Sequence, residues 1–235
     1  MNLSYDLHIH SCLSPCGNED MTPNNIVNMA FIKGLDIIAV TDHNTSGHAA
    51  VIENLALKLG ILAIPGMEVQ TREEVHVLCY FPSVDNLKDF DNILTKNKTI
   101  IANNRKIFGN QTIRNEYDEV IGEMDIALIM SVDVDLDTLF VMVSAFDGVM
   151  VPAHVNKSSN SILANLGFIP PNMPIHCIEV YEKAPVNDRL LGQYKRLYNS
   201  DAHYLEAISE PINFIDLKEK TAVALIEYLS GKDGI

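Results

Sequence analysis

Short apolar runs of strand length alternate with longer amphipathic segments along much of the chain. The runs fall at 5–10, 35–40, 61–64, 76–81, 148–153, 177–181 and 197–200. Their length and bounding residues suit strands. Between them, Thr22-Pro23-Asn24-Asn25 is a helix start, with Thr22 at the N-cap and Pro23 in the first turn. Ile26, Met29, Ala30 and Ile32 continue at helical spacing until Gly34. Val51 to Leu59 predicts a second helix, stopped by Gly60, and Leu217 to Leu229 predicts a C-terminal one ending at Gly231. Repeated βα units of this kind predict mostly parallel strands.

The stretch from about 85 to 145 is less regular. Helices are predicted over Leu87–Asn104, Glu116–Met130 and Asp135–Phe146, and no histidine falls among them. It reads as a mainly helical insertion placed to cap a site. No repeat, low-complexity tract or Pro/Gly/Ser linker interrupts the chain, so residues 1–235 are expected to form one domain.

Composition narrows the function. Hydrophobic residues make up 47% of 235, enough for one sizeable core, and no run approaches the roughly 20 apolar residues of a membrane span. Met1-Asn2-Leu3-Ser4 leads into the first strand without a basic or apolar leader, and the four cysteines read as reduced thiols. A cytoplasmic protein with no membrane association is therefore expected. Formal net charge is −14 with no basic block, which weighs against long nucleic acid as a partner. Bound divalent cations would still make a site locally positive, so small anionic substrates fit. Cys79 and Cys177 lie inside apolar runs and read as core. Cys12 and Cys16 are spaced like a zinc half-site, but no matching pair follows.

The chemistry gathers where the apolar runs stop. His8 and His10 are two apart, so on a strand both rings face one side. Thr41-Asp42-His43, Gly66-Met67-Glu68, His76, His154 and Ser200-Asp201-Ala202-His203 each adjoin another run. His-x-His alone does not separate a metal pair from two surface imidazoles. Its company does, because strand-end residues distant in sequence converge at the C-terminal mouth of a barrel.

In order, Asp6-Leu-His-Ile-His-Ser, Thr41-Asp-His-Asn, Pro65-Gly-Met-Glu68, His76, His154 and Ser200-Asp-Ala-His resemble the motif set of the PHP (polymerase and histidinol phosphatase) family. The resemblance covers residues 5 to about 210. It implies an α/β fold, a distorted (β/α)7 barrel, with three divalent metal ions at its mouth and phosphoesterase activity. On that reading His8, His10, Glu68 and Asp201 surround a first ion. Glu68 bridges to a second, completed by His76 and His154, and His43 and His203 hold a third. Many relatives follow His-x-His with Ser-Asp-Gly, whereas this chain has Ser14-Pro15-Cys16-Gly17-Asn18-Glu19-Asp20. Asp20 is the expected ligand there, with Glu19 second and Cys16 third. Asp42, beside the ions, would orient a ligand or shuttle a proton, or else be a simple loop carboxylate.

Histidine and carboxylate ligands suit zinc, manganese or iron. Arg72 and Lys157 are candidate grips for a substrate phosphate or carboxylate, and Lys183 follows the Glu179 strand; the alternative for each is an exposed solvating charge. His48 reads as an exposed loop histidine, or else as one that reaches substrate, and His176 as structural. Ser11 and Cys12 adjoin the ligands without a base at recognisable spacing, which favours direct attack by water activated at the ions. The expected function is metal-dependent hydrolysis of a small phosphorylated metabolite or short nucleotide. Two alternatives stay open: an amidohydrolase-like C–N hydrolase, and a non-catalytic regulatory module. Nothing in the sequence indicates an oligomeric state.

Overall fold

Residues 1–232 are described in the computed structural model of the protein. The chain runs β1 (Asn2–Ile9), α1 (Pro23–Lys33), β2 (Ile37–Val40), α2 (Ala49–Lys58), β3 (Leu62–Ala63), β4 (Gly66–Gln70), β5 (His76–Tyr80) and α3 (Val84–Leu94). It continues through α4 (Arg105–Phe108), β6 (Thr112–Arg114), β7 (Val120–Glu123), α5 (Leu136–Ser144), β8 (Val149–Pro152), α6 (Ile162–Leu166) and β9 (Cys177–Glu179). It closes with α7 (Asp188–Leu191), β10 (Lys195–Leu197), β11 (Phe214–Asp216) and α8 (Ala222–Leu229).

The first helix follows its sequence signals. The Thr22 side chain accepts the Asn25 N–H at 3.3 Å, Pro23 opens the first turn, and Gly34 takes the left-handed conformation that ends it (φ 75°). Its buried face, Ile26, Val27 and Ala30, packs with Ile52, Leu55 and Ala56 of α2 against Ile38 and Val40.

The fold is mixed α/β, but the strands do not close into a ring. They form a four-stranded sheet in the order β11-β1-β2-β3, a three-stranded sheet β4-β5-β8, and the pairs β9-β10 and β6-β7. Pairing is parallel among β1, β2 and β3 and between β9 and β10, whereas β4, β5 and β8 are antiparallel. The expectation of mostly parallel strands therefore holds for only part of the molecule. The reason is local: β4 returns directly into β5 through the turn at Thr71–Val75, closed by Thr71 N–H···O=C Val75 at 2.9 Å. So short a connection cannot make a parallel crossover. Isolated bridges, Ile9 to Ala202 and His43 to Glu68, tie the sheets together at their ligand-bearing ends.

The 85–145 stretch is less helical than its sequence suggests. α3 ends at Leu94 in a short 3-10 turn (Thr95–Asn97), well before Asn104. No helix forms over Glu116–Met130. The Asn115 side chain accepts the N–H groups of Tyr117 and Glu119, both at 3.0 Å, and the strands on either side of this turn pair as the β6–β7 hairpin. Gln111 then binds the carbonyls of Met124 and Ile126 and the N–H of Leu128. These side chains offer the backbone partners that compete with a helix. At the other end, Phe214–Asp216 pairs with Asn2–Ser4, so the C-terminal helix starts at its Thr221 cap rather than at Leu217. Among the described residues no helix is long and apolar enough to cross a membrane.

Candidate metal centre

β1 is buried along all but its first residue, so His8 and His10 enter the protein on one face of a strand with no solvent side. Glu68, on β4, is buried beneath them. Its Oε1 lies 2.9 Å from His76 Nδ1 and 3.4 Å from Nε2 of both His8 and His154. Its Oε2 lies 3.1 Å from His43 Nδ1 and 3.4 Å from His10 Nε2. Asp201 Oδ1 stands 3.4 Å from His8 Nε2, 3.3 Å from His10 Nε2 and 3.7 Å from His203 Nε2.

These contacts are not a hydrogen-bond network. Glu68 Oε1, His43 Nδ1, His76 Nε2 and His154 Nδ1 are buried without hydrogen-bond partners, a costly state for polar atoms unless something else satisfies them. Donor atoms sharing one ion at about 2.1 Å stand roughly 3.0–3.4 Å apart in octahedral or tetrahedral arrays. The separations around Glu68 match that spacing, so the residues fit divalent ions. Ligand atoms converge in four groups: His8, His10 and Asp201; Glu68, His76 and His154; His10, His43 and Glu68; and His10, Cys16 and His203.

The electrostatics agree with that donor set. Burial would raise the Glu68 carboxyl, but the His76, His8 and His43 rings outweigh it and hold it well below the usual carboxylate range. Burial likewise opposes ionisation of Asp201, and His8 and His10 reverse the balance. Burial, with help from neighbouring imidazoles, pushes His43 well down and His203 down to about 4, leaving neutral rings able to ligate.

A further layer sets the tautomers. The Glu179 carboxylate sits 3.0 and 3.1 Å from His8 Nδ1, placing a proton there and freeing Nε2 for an ion. Ser14 Oγ donates to Asp42 at 2.7 Å and faces His10 Nδ1 at 3.2 Å, so it accepts from that ring. Asp42 is thus a positioning residue for His10. It also accepts the N–H and hydroxyl of Ser11, at 2.8 and 2.6 Å. Two of the clustered residues, His154 (φ 29°) and Asp201 (φ 51°), have positive φ, a strained state that surrounding contacts must hold. Glu179 supplies such a contact, accepting the His154 N–H at 2.7 Å.

The expected residues are not all gathered here. Asp20 is exposed, and none of the four groups contains it; instead Cys16, the third choice, joins His10 and His203. Arg72 lies on the surface, bound to Asp133 at 2.8 Å and Asp135 at 3.4 Å, and lines no part of the cavity. Its own acidic neighbours saturate it. Lys157 does line the cavity, a space of about 220 Å³ over the ligands shared with Cys16, Ile129, Ser159 and Asn160, and it pairs with Asp201. A larger cavity, about 390 Å³ beside Met1 and Asp216, has no histidine or cysteine in its lining.

His48 is buried rather than exposed. Its Nε2 accepts the Arg114 N–H at 2.9 Å, so Nδ1 carries the proton and donates to Ser11 Oγ at 2.8 Å. Sequence spacing did not reveal this imidazole beside Ser11. It does not activate the serine, however, since the Ser11 hydroxyl proton already points to Asp42. The sequence reading also missed Glu179. Its one signal was an acid within the apolar run Cys177-Ile178-Glu179-Val180.

A family model for the PHP domain matches residues 6–207. Over 81 residues the chain is 32% identical to a 5'-3' exoribonuclease of Haemophilus influenzae, a stretch covering 33% of this chain and 28% of that protein. The lesion-specific endonuclease Q of Pyrococcus furiosus has a similar structure, with a TM-score of 0.73 at 19% identity over 100% of this chain and 57% of that one. Endonuclease Q in complex with a 27-mer duplex, an abasic lesion at its active site, gives 0.72 at 19% identity, with coverage of 100% and 58%. A two-domain Bacteroides vulgatus protein containing a predicted PHP-like metal-dependent phosphoesterase gives 0.61 at 17% identity, with coverage of 99% and 64%. The chain spans less than two thirds of the length of each of these relatives.

One expectation is overturned. Net charge argued against long nucleic acid, yet endonuclease Q, with a similar fold, holds a DNA duplex at its active site. Net charge averages over a whole surface, while binding answers to the local field of the site and its ions. The match over residues 6–207 places the chain in the PHP domain family.

Proposed function

We propose that the protein hydrolyses phosphate esters at the Glu68-centred cluster, with a small phosphorylated metabolite or short nucleotide as substrate. The observation that carries this reading is the buried Glu68 carboxylate within 3.4 Å of five imidazoles, with its own Oε1 and the facing His43 Nδ1 left without hydrogen-bond partners. His8, His10, Glu68 and Asp201 would hold one ion, Glu68, His76 and His154 a second, and His203 a third with Cys16 beside it, while His43 groups with His10 and Glu68; zinc, manganese and iron all suit such donors. When bound, the ions supply Lewis acidity, acidifying water and neutralising phosphoryl charge.

The chain's own residues supply the rest. Glu179 keeps a proton on His8 Nδ1, and Asp42 does the same for His10 through Ser14. Lys157 reaches the cavity and can exchange its Asp201 contact for a substrate oxygen. Ser11 is buried with its hydroxyl committed, and Cys12 is buried against the Thr112 carbonyl, so neither is poised to attack phosphorus. Water is left as the nucleophile. Ile129, from the 85–145 insertion, lines the cavity and supports the reading of that stretch as a partial cover on a single domain.

A second reading, an ester within or at the end of a nucleic acid strand, is favoured by the fold shared with endonuclease Q. A panel of aryl phosphates, phosphorylated metabolites, nucleotides and single-stranded oligonucleotides against zinc- and manganese-loaded protein tests both. Release of phosphate from monoesters alone selects the first reading, and shortening or nicking of oligonucleotides selects the second. No turnover on any of them with metal bound overturns the assignment.

A further inference from the structure

We infer that Cys16 provides a thiolate ligand beside His203, making the third ion position selective for thiophilic metals; this rests on the metal-hydrolase reading above. The Cys16 sulfur and one ring nitrogen each of His10 and His203 lie within 4.8 Å of one another. A sulfur at about 2.3 Å and a nitrogen at about 2.05 Å from one tetrahedral ion stand roughly 3.5 Å apart. With His10 committed to the first ion and to Ser14, Cys16 and His203 are the pair within side-chain adjustment of a shared ion.

The loop holding Cys16 is braced from both ends. Ser14 N–H binds the Ser11 carbonyl at 3.1 Å, and Gly17 N–H binds the Ser14 carbonyl at 3.0 Å, winding the chain back on itself directly after His10. A Cβ at Gly17 would fall 2.0 Å from the Ser11 oxygen, so only glycine permits this approach. Asn18 N–H then binds the carbonyl of His203 itself at 2.9 Å, and Cys12 N–H binds Met21 O at 2.8 Å. The same backbone thus positions Cys16 and His203 together.

The alternative donors in this loop are directed elsewhere. Glu19 is exposed and holds Asn110, and Asp20 is exposed with its N–H on the Asn18 side chain at 2.9 Å. Among the described residues neither joins a ligand cluster. Binding replaces the thiol proton by the ion: the S–H bond breaks, the sulfur pair forms the metal bond, and the proton leaves to solvent. A thiolate favours zinc, cobalt(II) or iron(II) over manganese or magnesium, whereas a carboxylate in its place would not.

The test uses the full chain as wild type, Cys16→Ser, Cys16→Asp and Cys12→Ser, each stripped with chelator and reloaded with cobalt(II). Circular dichroism checks the fold, elemental analysis counts ions, and near-ultraviolet absorbance reads thiolate-to-cobalt charge transfer. Wild type and Cys12→Ser should show the band. Cys16→Ser should lose it together with about one ion per chain, and Cys16→Asp should lose it while keeping the ion and accepting manganese there. A full complement of cobalt in wild type without the band, or a band that survives Cys16→Ser, overturns the inference and leaves the metal-hydrolase reading standing. No bound ion in any of the four folded proteins overturns both.

Discussion

The carboxylate of Glu179 lies 3.0 Å from Nδ1 of His8, and its other oxygen accepts the backbone N–H of His154 at 2.7 Å. One buried acid thereby orients the His8 ring on β1 and holds the strained backbone at His154. Asn199 steadies it, donating to Glu179 at 2.7 Å while accepting the Leu7 N–H at 3.0 Å. The His8 ring, the Glu179 carboxylate and the ion that His8 would hold form a carboxylate–histidine–metal relay of the kind that raises ligand basicity.

Glu179→Gln keeps the shape but turns an N–H donor towards either His8 or His154, both of which need an acceptor. Metal affinity or turnover should fall by about 10–100-fold with the fold preserved. Isothermal titration of the metal-stripped variant reads this directly, and wild-type affinity would show that the relay is idle.

Removing the central carboxylate should do more. Glu68→Gln takes away the charge that faces five imidazoles, so metal content should drop further than for any other single ligand change and turnover should reach background. Elemental analysis beside a phosphatase assay decides the point. Retained ions with full turnover would place the centre elsewhere.

Asp20→Asn should leave metal content unchanged and turnover within about twofold, as for other surface substitutions, because Asp20 is exposed and outside every ligand cluster. Cys16→Ser measured alongside should change both.

The two cations should separate in steady-state kinetics. Lys157→Ala removes the cavity cation and should raise KM or lower kcat/KM by about tenfold or more, the loss expected for a charge-assisted hydrogen bond. Arg72→Ala should change neither, since its guanidinium is committed to Asp133 and Asp135.

Stability should depend on pH through His48. Burial holds this ring below its ordinary value, so the folded protein resists protonating it. Below about pH 6.5 the unfolded chain takes up a proton that the folded one refuses. The contribution of His48 is therefore intact above that pH and declines as pH falls towards the lowered folded value. His48→Gln can keep both hydrogen bonds without titrating. Urea midpoints at about pH 7.5 and about pH 5.5 should fall more steeply for wild type than for the variant under equal metal loading. Equal slopes would remove His48 from the account.

Much of this protein is local and so was written in its sequence. The Thr22 cap, Pro23 and Gly34 bound α1 because capping and left-handed termination depend on adjacent residues. The apolar runs ending in His10, His43, Glu68, His154 and Asp201 marked residues that the structure brings together, since alternation on a strand sets which side chains share a face. Tertiary structure decided what depends on residues far apart. The antiparallel β4-β5-β8 sheet follows from a short return at Thr71–Val75, and the hairpin in place of a helix over Glu116–Met130 follows from side chains at Asn115 and Gln111. Glu179 and His48 acquire meaning only through partners 171 and 37 positions away, His8 and Ser11. Cys16 and Asp20 differ little in sequence. Both are exposed, but the chain path through the Asn18 to His203 backbone bond brings Cys16 and not Asp20 within reach of His10 and His203.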